Sequence, residues 1–160
     1  DWEGGSTRLY LCGAAAEAVA GCFQGSRLCV RVLPGAVGRA SALKMSYAAL
    51  TKGSTALLCA VLGAAERLGV RAELEAQWEE EQAGTAETHS RRAQRVTAKA
   101  WRFAPEMEEI AATFEDAGLP GDFHAAAAEI YRRLAKFKES ETYPELEEVL
   151  SALSVAARQI

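Results

Sequence analysis

Arg39-Ala-Ser-Ala-Leu-Lys-Met-Ser-Tyr-Ala-Ala-Leu-Thr-Lys-Gly-Ser-Thr-Ala-Leu-Leu-Cys-Ala-Val-Leu-Gly-Ala-Ala-Glu-Arg-Leu-Gly69 is the stretch that decides the fold. From Arg39 to Leu68 it reads as one helix, about 45 Å long at about 1.5 Å per residue. Gly53 is a point where it can bend, and Gly69 stands in the usual C-terminal position. Ala56 to Ala65 is apolar on every side, which suits a helix at the centre of a bundle or of a dimer. One chain of 160 residues gives such a helix thin surroundings, so the pattern predicts an obligate oligomer. Against this background Lys44 stands out. A charged amine at the head of a helix that reads as buried costs stability unless it has a partner or a task.

At about 100° per residue, Ser41, Lys44, Ala48, Thr51 and Thr55 fall on one stripe of that helix. Two readings follow. Small and hydroxyl side chains leave room for a ligand and orient it, and Lys44 can then donate to a carboxylate or phosphate, or act as a general base once desolvated. Equally, a lysine in a helix's first turns can snorkel to the surface.

Upstream, Leu9 to Cys12 reads as a strand, Ala14 to Phe23 as a short helix, and Leu28 to Leu33 as a second strand stopped by Pro34-Gly35. Such a β-α-β piece is too small to bury its own faces. Downstream everything reads as helix: Ala72 to Gln82, then a polar loop from Ala83 to His89, then Ser90 to Phe103. Pro105 opens a further helix, Glu106 to Ala117, closed by Gly118. Asp122 is a cap for Phe123 to Lys138, and Thr142 starts a last helix running to about Gln159. The fold class is therefore mostly α, with a first domain over residues 1–38 and an all-helical domain over 39–160.

A net charge of −4 gives no reason to expect nucleic acid or an anionic membrane as partner. The longest apolar run is too short for a bilayer, and no basic-then-apolar leader opens the chain, so the expected location is the cytoplasm. Cys12, Cys22, Cys29 and Cys59 lack Cys-x-x-Cys spacing and sit in apolar segments, which points to a reducing compartment and to no zinc site. The start at Asp1, without an initiator methionine, reads as a fragment or a processed chain. Trp101, Phe103, Met107, Ile110 and Phe114 recur at helical spacing and are expected in the core. His124, at the head of a helix, is a candidate ligand or base, or a packed residue; His89 belongs to the polar loop. Arg91, Arg92, Arg95, Lys99 and Arg102 form a basic face, expected to be solvated or paired with Glu79-Glu80-Glu81 rather than to hold phosphate.

Two blocks carry a family resemblance. Ala40-Ser-Ala-Leu-Lys-Met-Ser-Tyr-Ala-Ala-Leu-Thr-Lys-Gly53 resembles the start of the catalytic helix in the 6-phosphogluconate dehydrogenase and β-hydroxyacid dehydrogenase superfamily. The second block runs from Ala100 to Phe114 and from Gly118 to Tyr131. It is similar to a subgroup of NAD(P)-dependent oxidoreductases whose C-terminal helical domain was long catalogued as a domain of unknown function. The resemblance spans about Thr7 to Lys138. It implies a helical bundle of the 6-phosphogluconate dehydrogenase C-terminal type, preceded by the tail of a Rossmann domain. It also implies a homodimer through the helical domain, a small-molecule acid as substrate, and NAD or NADP bound mainly by a domain largely absent from this chain. Lys44 takes the place of the family's general base and acid, with Ser41, Tyr47, Thr51 and His124 as substrate-binding candidates and no metal. The chain departs from the family in two places: Tyr47 and Ala48 stand where relatives carry asparagine, and Glu106-Met107 where β-hydroxyacid dehydrogenases carry a Lys-Asp pair. The alternative expectation is a non-catalytic helical dimerisation module.

Overall fold

Two short parallel strands joined by a helix open the computed structural model, which describes residues 7–154. β1 (Arg8–Cys12) pairs with β2 (Cys29–Leu33), Arg8 opposite Cys29 and Cys12 opposite Leu33. Parallel strands need a crossover, and α1 (Ala16–Gly21) provides it. The β-α-β reading of the sequence holds, with a helix shorter than expected.

α2 (Arg39–Leu68) is one continuous helix, as the opening stretch predicts. Its C-terminus closes in a Schellman motif. Gly69 N–H donates to Glu66 O at 3.1 Å, Val70 N–H donates to Ala65 O at 2.9 Å, and Gly69 has φ +69°. The chain divides into two compact units between Tyr47 and Ala48, inside α2, where the sequence placed the domain boundary at 38/39. The displaced boundary has a cause. The first turn of α2 bonds back to the β-α-β piece: Arg39 Nη1 donates to Pro34 O at 2.5 Å, and Ala40 N–H donates to Cys12 Sγ at 3.4 Å.

The second unit is a helical bundle: the rest of α2, then α3 (Arg71–Glu81), α4 (Thr85–Asp116), α5 (Asp122–Leu134) and α6 (Leu146–Leu153). Four expectations are corrected here. Residues 85–89, read as loop, are the first turns of α4, because the Glu79 carboxylate accepts Gly84 N–H at 2.8 Å and Ala86 N–H at 2.9 Å and so caps that helix from outside. Pro105, read as a helix start, lies inside α4. A proline there forfeits one backbone bond. The buried line Ala93, Val96, Ala100, Ala104, Met107, Ile110 and Ala111 runs straight through it, however, and that packing keeps both halves in one helix. The last helix is confined to Leu146–Leu153 within the described residues, opened by Glu145 and Glu148 in a reciprocal capping box rather than by Thr142. Asp122 is the first residue of α5 rather than its cap. The cap position belongs to Gly121, where a Cβ would come within 2.7 Å of Ala111 O.

Cys59, Leu62, Met107, Ile110, Tyr131, Leu134 and Val149 are buried at the centre of this unit. The Tyr131 hydroxyl donates to Lys52 O at 2.7 Å, tying α5 to α2. Desolvation pushes the Cys59 thiol up to about 12, so it stays protonated and inert. None of the four cysteines forms a disulfide; of the four, Cys59 alone is buried, and Cys22 is exposed. The aromatic line of α4 is core only in part: Met107 and Ile110 are buried, Phe103 and Phe114 half-buried, and Trp101 exposed. α2 is long and apolar enough to cross a membrane by length and composition, yet much of that stretch is buried in the protein, as a core helix requires. It is not buried on every side. Leu50, Leu57, Val61 and Leu68 remain exposed.

Candidate functional site

Lys44 lines an open cleft of about 320 Å³ in the first unit, with Arg8, Tyr10, Leu43 and Tyr47. Two elements build it. Arg8 and Tyr10 alternate along β1 and so share one face of the strand. Leu43, Lys44 and Tyr47 sit at i, i+1 and i+4 on α2, so one helical face presents them together. Lys44 is exposed, which corrects the picture of an amine at the head of a buried helix. Tyr47 is 70% exposed. The cleft therefore collects an ammonium, a guanidinium and two phenol hydroxyls around half-exposed apolar surface. Two cations with hydroxyl donors suit a small carboxylate-bearing molecule, and an accessible amine can exchange a proton with it.

The first turn of α2 also bonds to Cys12, at the end of β1. Its thiol lies below its ordinary range, chiefly through the backbone N–H of Ala40, with further N–H groups of Gly38 and Arg39 acting the same way.

The other candidates lie elsewhere. Ser41 is exposed and does not line the cleft. Thr51 and Thr55 belong to the second unit. The Thr51 hydroxyl donates to Ala48 O at 3.5 Å, and that of Thr55 donates to Thr51 O at 2.9 Å. His124 is buried, its ring 4.4 Å from that of Phe114 and 5.2 Å from that of Phe123. Its Nδ1 has no hydrogen-bond partner, and burial lowers its pKa, so it is held neutral. Its edge lies over Gly53, where a Cβ would stand 3.9 Å from Nε2 and 3.2 Å from Phe123. Gly53 thus lets α5 approach α2, which is a use other than bending. His89 sits on α4 with its ring edge-on to Trp78 at 4.6 Å.

Residues 65–134 match the DUF1932 family. It is described as a domain of unknown function, and the matched segment takes in the end of α2, all of α3 and α4, and α5. Lys44 lies outside the DUF1932 match; His124 lies within it. A solved structure, that of a conserved hypothetical protein from Sinorhizobium meliloti 1021, is similar over 93% of this chain with a TM-score of 0.73 and 25% sequence identity. The chain spans about half of that protein's length, 52%. None of the curated proteins matches the chain.

The β1–α1 turn does not form a dinucleotide cradle. That turn has one glycine, Gly13 with φ +98°, and the space beside it is taken by Val37, 3.0 Å from where a Cβ would stand; a Rossmann domain's tail is not expected to carry the cradle, which belongs to the first βα turn of such a domain. Among the described residues no group of three or more His, Cys, Asp or Glu side chains could hold a metal ion.

Sequence reasoning missed Arg8 and Tyr10. The signal that could have found them is their two-residue spacing on a strand; which strand face meets α2 is not written in that spacing. Of the two expectations for the basic face, solvation holds, since Arg91, Arg92, Arg95, Lys99 and Arg102 are all exposed; pairing with Glu79-Glu80-Glu81 does not, since Glu79 caps α4 and Arg91 pairs with Glu87 on its own helix.

Proposed function

We propose that this chain is the C-terminal part of an NAD(P)-dependent oxidoreductase acting on a hydroxy acid or its oxo partner, with Lys44 as general acid and base. The observation that carries this reading is the cleft that gathers Lys44, Arg8, Tyr10 and Tyr47 at one exposed face. Arg8 is suited to hold a substrate carboxylate as a forked pair, and Lys44 to take the proton from a substrate hydroxyl or return it to the oxo form. Tyr47 stands where relatives carry asparagine, and its hydroxyl supplies the missing polar contact. The electron-transfer half belongs to a nicotinamide cofactor held by residues other than those described. The DUF1932 match supports the reading, since the sequence resembles dehydrogenases whose C-terminal domain was catalogued that way.

We also infer a cytoplasmic homodimer through the helical unit. Leu50, Leu57, Val61 and Leu68 recur at intervals of seven and four on α2 and are exposed. Leu57 continues into an apolar groove shared with Phe123, Ala126 and Ile130. An apolar seam of this period is what a second helix covers. The same seam favours the second reading, a dimerisation module without chemistry.

Lys44→Ala in the full-length protein separates the two. With a general base lost, turnover of short hydroxy acids with nicotinamide cofactor drops about 10²- to 10⁴-fold, while Lys44→Arg restores binding without restoring turnover. Unchanged turnover removes Lys44 from the chemistry. Sedimentation of Val61→Glu tests the seam separately, with a monomer as the expected outcome.

A further inference from the structure

We propose that the cleft between α2 and α4 in the second unit binds a phosphorylated small molecule through Arg92, Arg95 and Lys99. The inference does not depend on the role of Lys44. The cleft holds about 510 Å³ and is open to solvent, within the range of small-ligand sites. α4 lines it with Thr88, Arg91, Arg92, Arg95 and Lys99, and α2 with Thr55.

Three features set this cleft apart from an ordinary solvated face. The first is charge. Arg91, Arg95 and Lys99 follow one another at i, i+4 and i+8, and like charges at that spacing repel. Among the described residues one acid, Glu87, answers them, through Arg91; Arg95 and Lys99 have no carboxylate partner. In a chain of net charge −4 this concentration is local, not a property of the whole.

The second feature is preorganisation. The Arg92 guanidinium is fixed from α2 by three acceptors: Nε donates to Thr55 Oγ1 at 2.9 Å, and Nη2 donates to Ser54 Oγ at 2.7 Å and Thr51 O at 3.3 Å. Those bonds use one edge of the fork. Nη1 is left without an acceptor among the described residues, and Arg92 itself lines the cleft. A guanidinium already immobilised loses little entropy on meeting an anion.

The third feature is shape. Phe103 closes the lining of the same cleft with half-buried aromatic surface, so an anionic head and an apolar or planar body can be held together. Four cations around one concavity, of which only Arg91 is answered by an acid among the described residues, favour a tetrahedral dianion, whose several oxygens each accept a charge-assisted bond, over a single carboxylate. The phosphate can come from a sugar-phosphate metabolite or from the phosphate arm of a nucleotide.

Isothermal titration calorimetry of the full chain at low salt tests this. The probes are inorganic phosphate, pyrophosphate, a hexose phosphate, and NAD and NADP. Pyrophosphate is expected to bind, to weaken as salt rises, and to lose roughly tenfold in affinity with Arg95→Gln and again with Lys99→Gln. Both residues are exposed and make no contact that holds the fold, so melting should stay unchanged; Arg92→Lys, which keeps the charge and loses the fork, serves as the third variant. Tighter binding of the hexose phosphate assigns a metabolite, and tighter binding of NADP than of NAD assigns a nucleotide arm. Absence of heat with every probe up to about 10 mM, equal affinity in the Arg95→Gln/Lys99→Gln double variant, or a double variant that changes the sedimentation of the chain would each overturn the proposal, the last by making this face a protein contact.

Discussion

In residues 7–47 the sequence-marked polar groups stand in the open. Lys44 and Tyr47 are exposed along one cleft, and the backbone beneath them is a two-stranded ribbon with one short helix. In residues 48–154 Thr51 and the basic face of α4 are also exposed, but other polar groups are turned inward. Thr55 and His124 are buried, and the Tyr131 hydroxyl spends its proton on a helix carbonyl. The same helix, α2, carries both arrangements, with small residues in each half. What differs is what lies against it. A hydroxyl or imidazole with a bundle packed on it becomes a structural group; an amine facing open space stays available for chemistry. Stability and reactivity should therefore respond to substitution in opposite halves of one helix.

The sharpest way to test that division is to cut into the buried half. Leu62 has no solvent exposure, and Leu62→Ala should cost about 2–5 kcal/mol in urea or thermal unfolding, since the bundle around it can collapse only in part. Tyr131→Phe is milder. It removes one buried hydrogen bond to Lys52 O while keeping the ring, and should cost about 1 kcal/mol. If Tyr131→Phe proved neutral, the tie between α5 and α2 would be one of packing alone.

The buried half should also respond to pH. His124 is neutral in the folded chain because burial lowers its pKa, whereas in the unfolded chain it titrates near its ordinary value of 6.5. Below that value the unfolded state binds the extra proton more readily. The contribution of His124 is thus fully present above about pH 6.5 and is lost as pH falls toward the lower folded value. Melting temperature followed from pH 8 to 5 should fall at the acid end, and His124→Gln should flatten that part of the curve. A variant with the parent's slope would place the acid sensitivity in other groups.

Much of this was legible in sequence. The β-α-β opening follows from alternation and from Pro34-Gly35, and the length of α2 from its uninterrupted apolar texture. Gly69 and Gly118 stop their helices as glycines with positive φ should. Pro105 misled because local rules end a helix there, while the decisive fact, a buried line continuing from Ala104 to Met107, is tertiary. The loop assigned to 83–89 failed for a similar reason: the cap that starts α4 is Glu79, on the preceding helix, and no short-range capping signal contains it. At the candidate site, Lys44 stands out in the sequence by its helix stripe and by a resemblance, and Tyr47 by the resemblance alone. Arg8 and Tyr10 do not, because pairing a strand face with a helix face is a choice made by the fold.

The smallest expected stability effect belongs to Lys44, the residue proposed as general acid and base. Lys44 is exposed, and no described acid holds it in a salt bridge. Lys44→Ala removes a solvated amine from a helix surface and replaces it with the residue of highest helix propensity. Unfolding free energy should then stay within about 0.5 kcal/mol of the parent, even as turnover falls. That pairing gives the comparison its content. A residue whose loss changes activity and leaves the melting curve in place is held by its position on the cleft rather than by the core. A marked drop in stability for Lys44→Ala would instead mean that the amine has a structural partner, and the open half of α2 would then follow the same rule as the buried one.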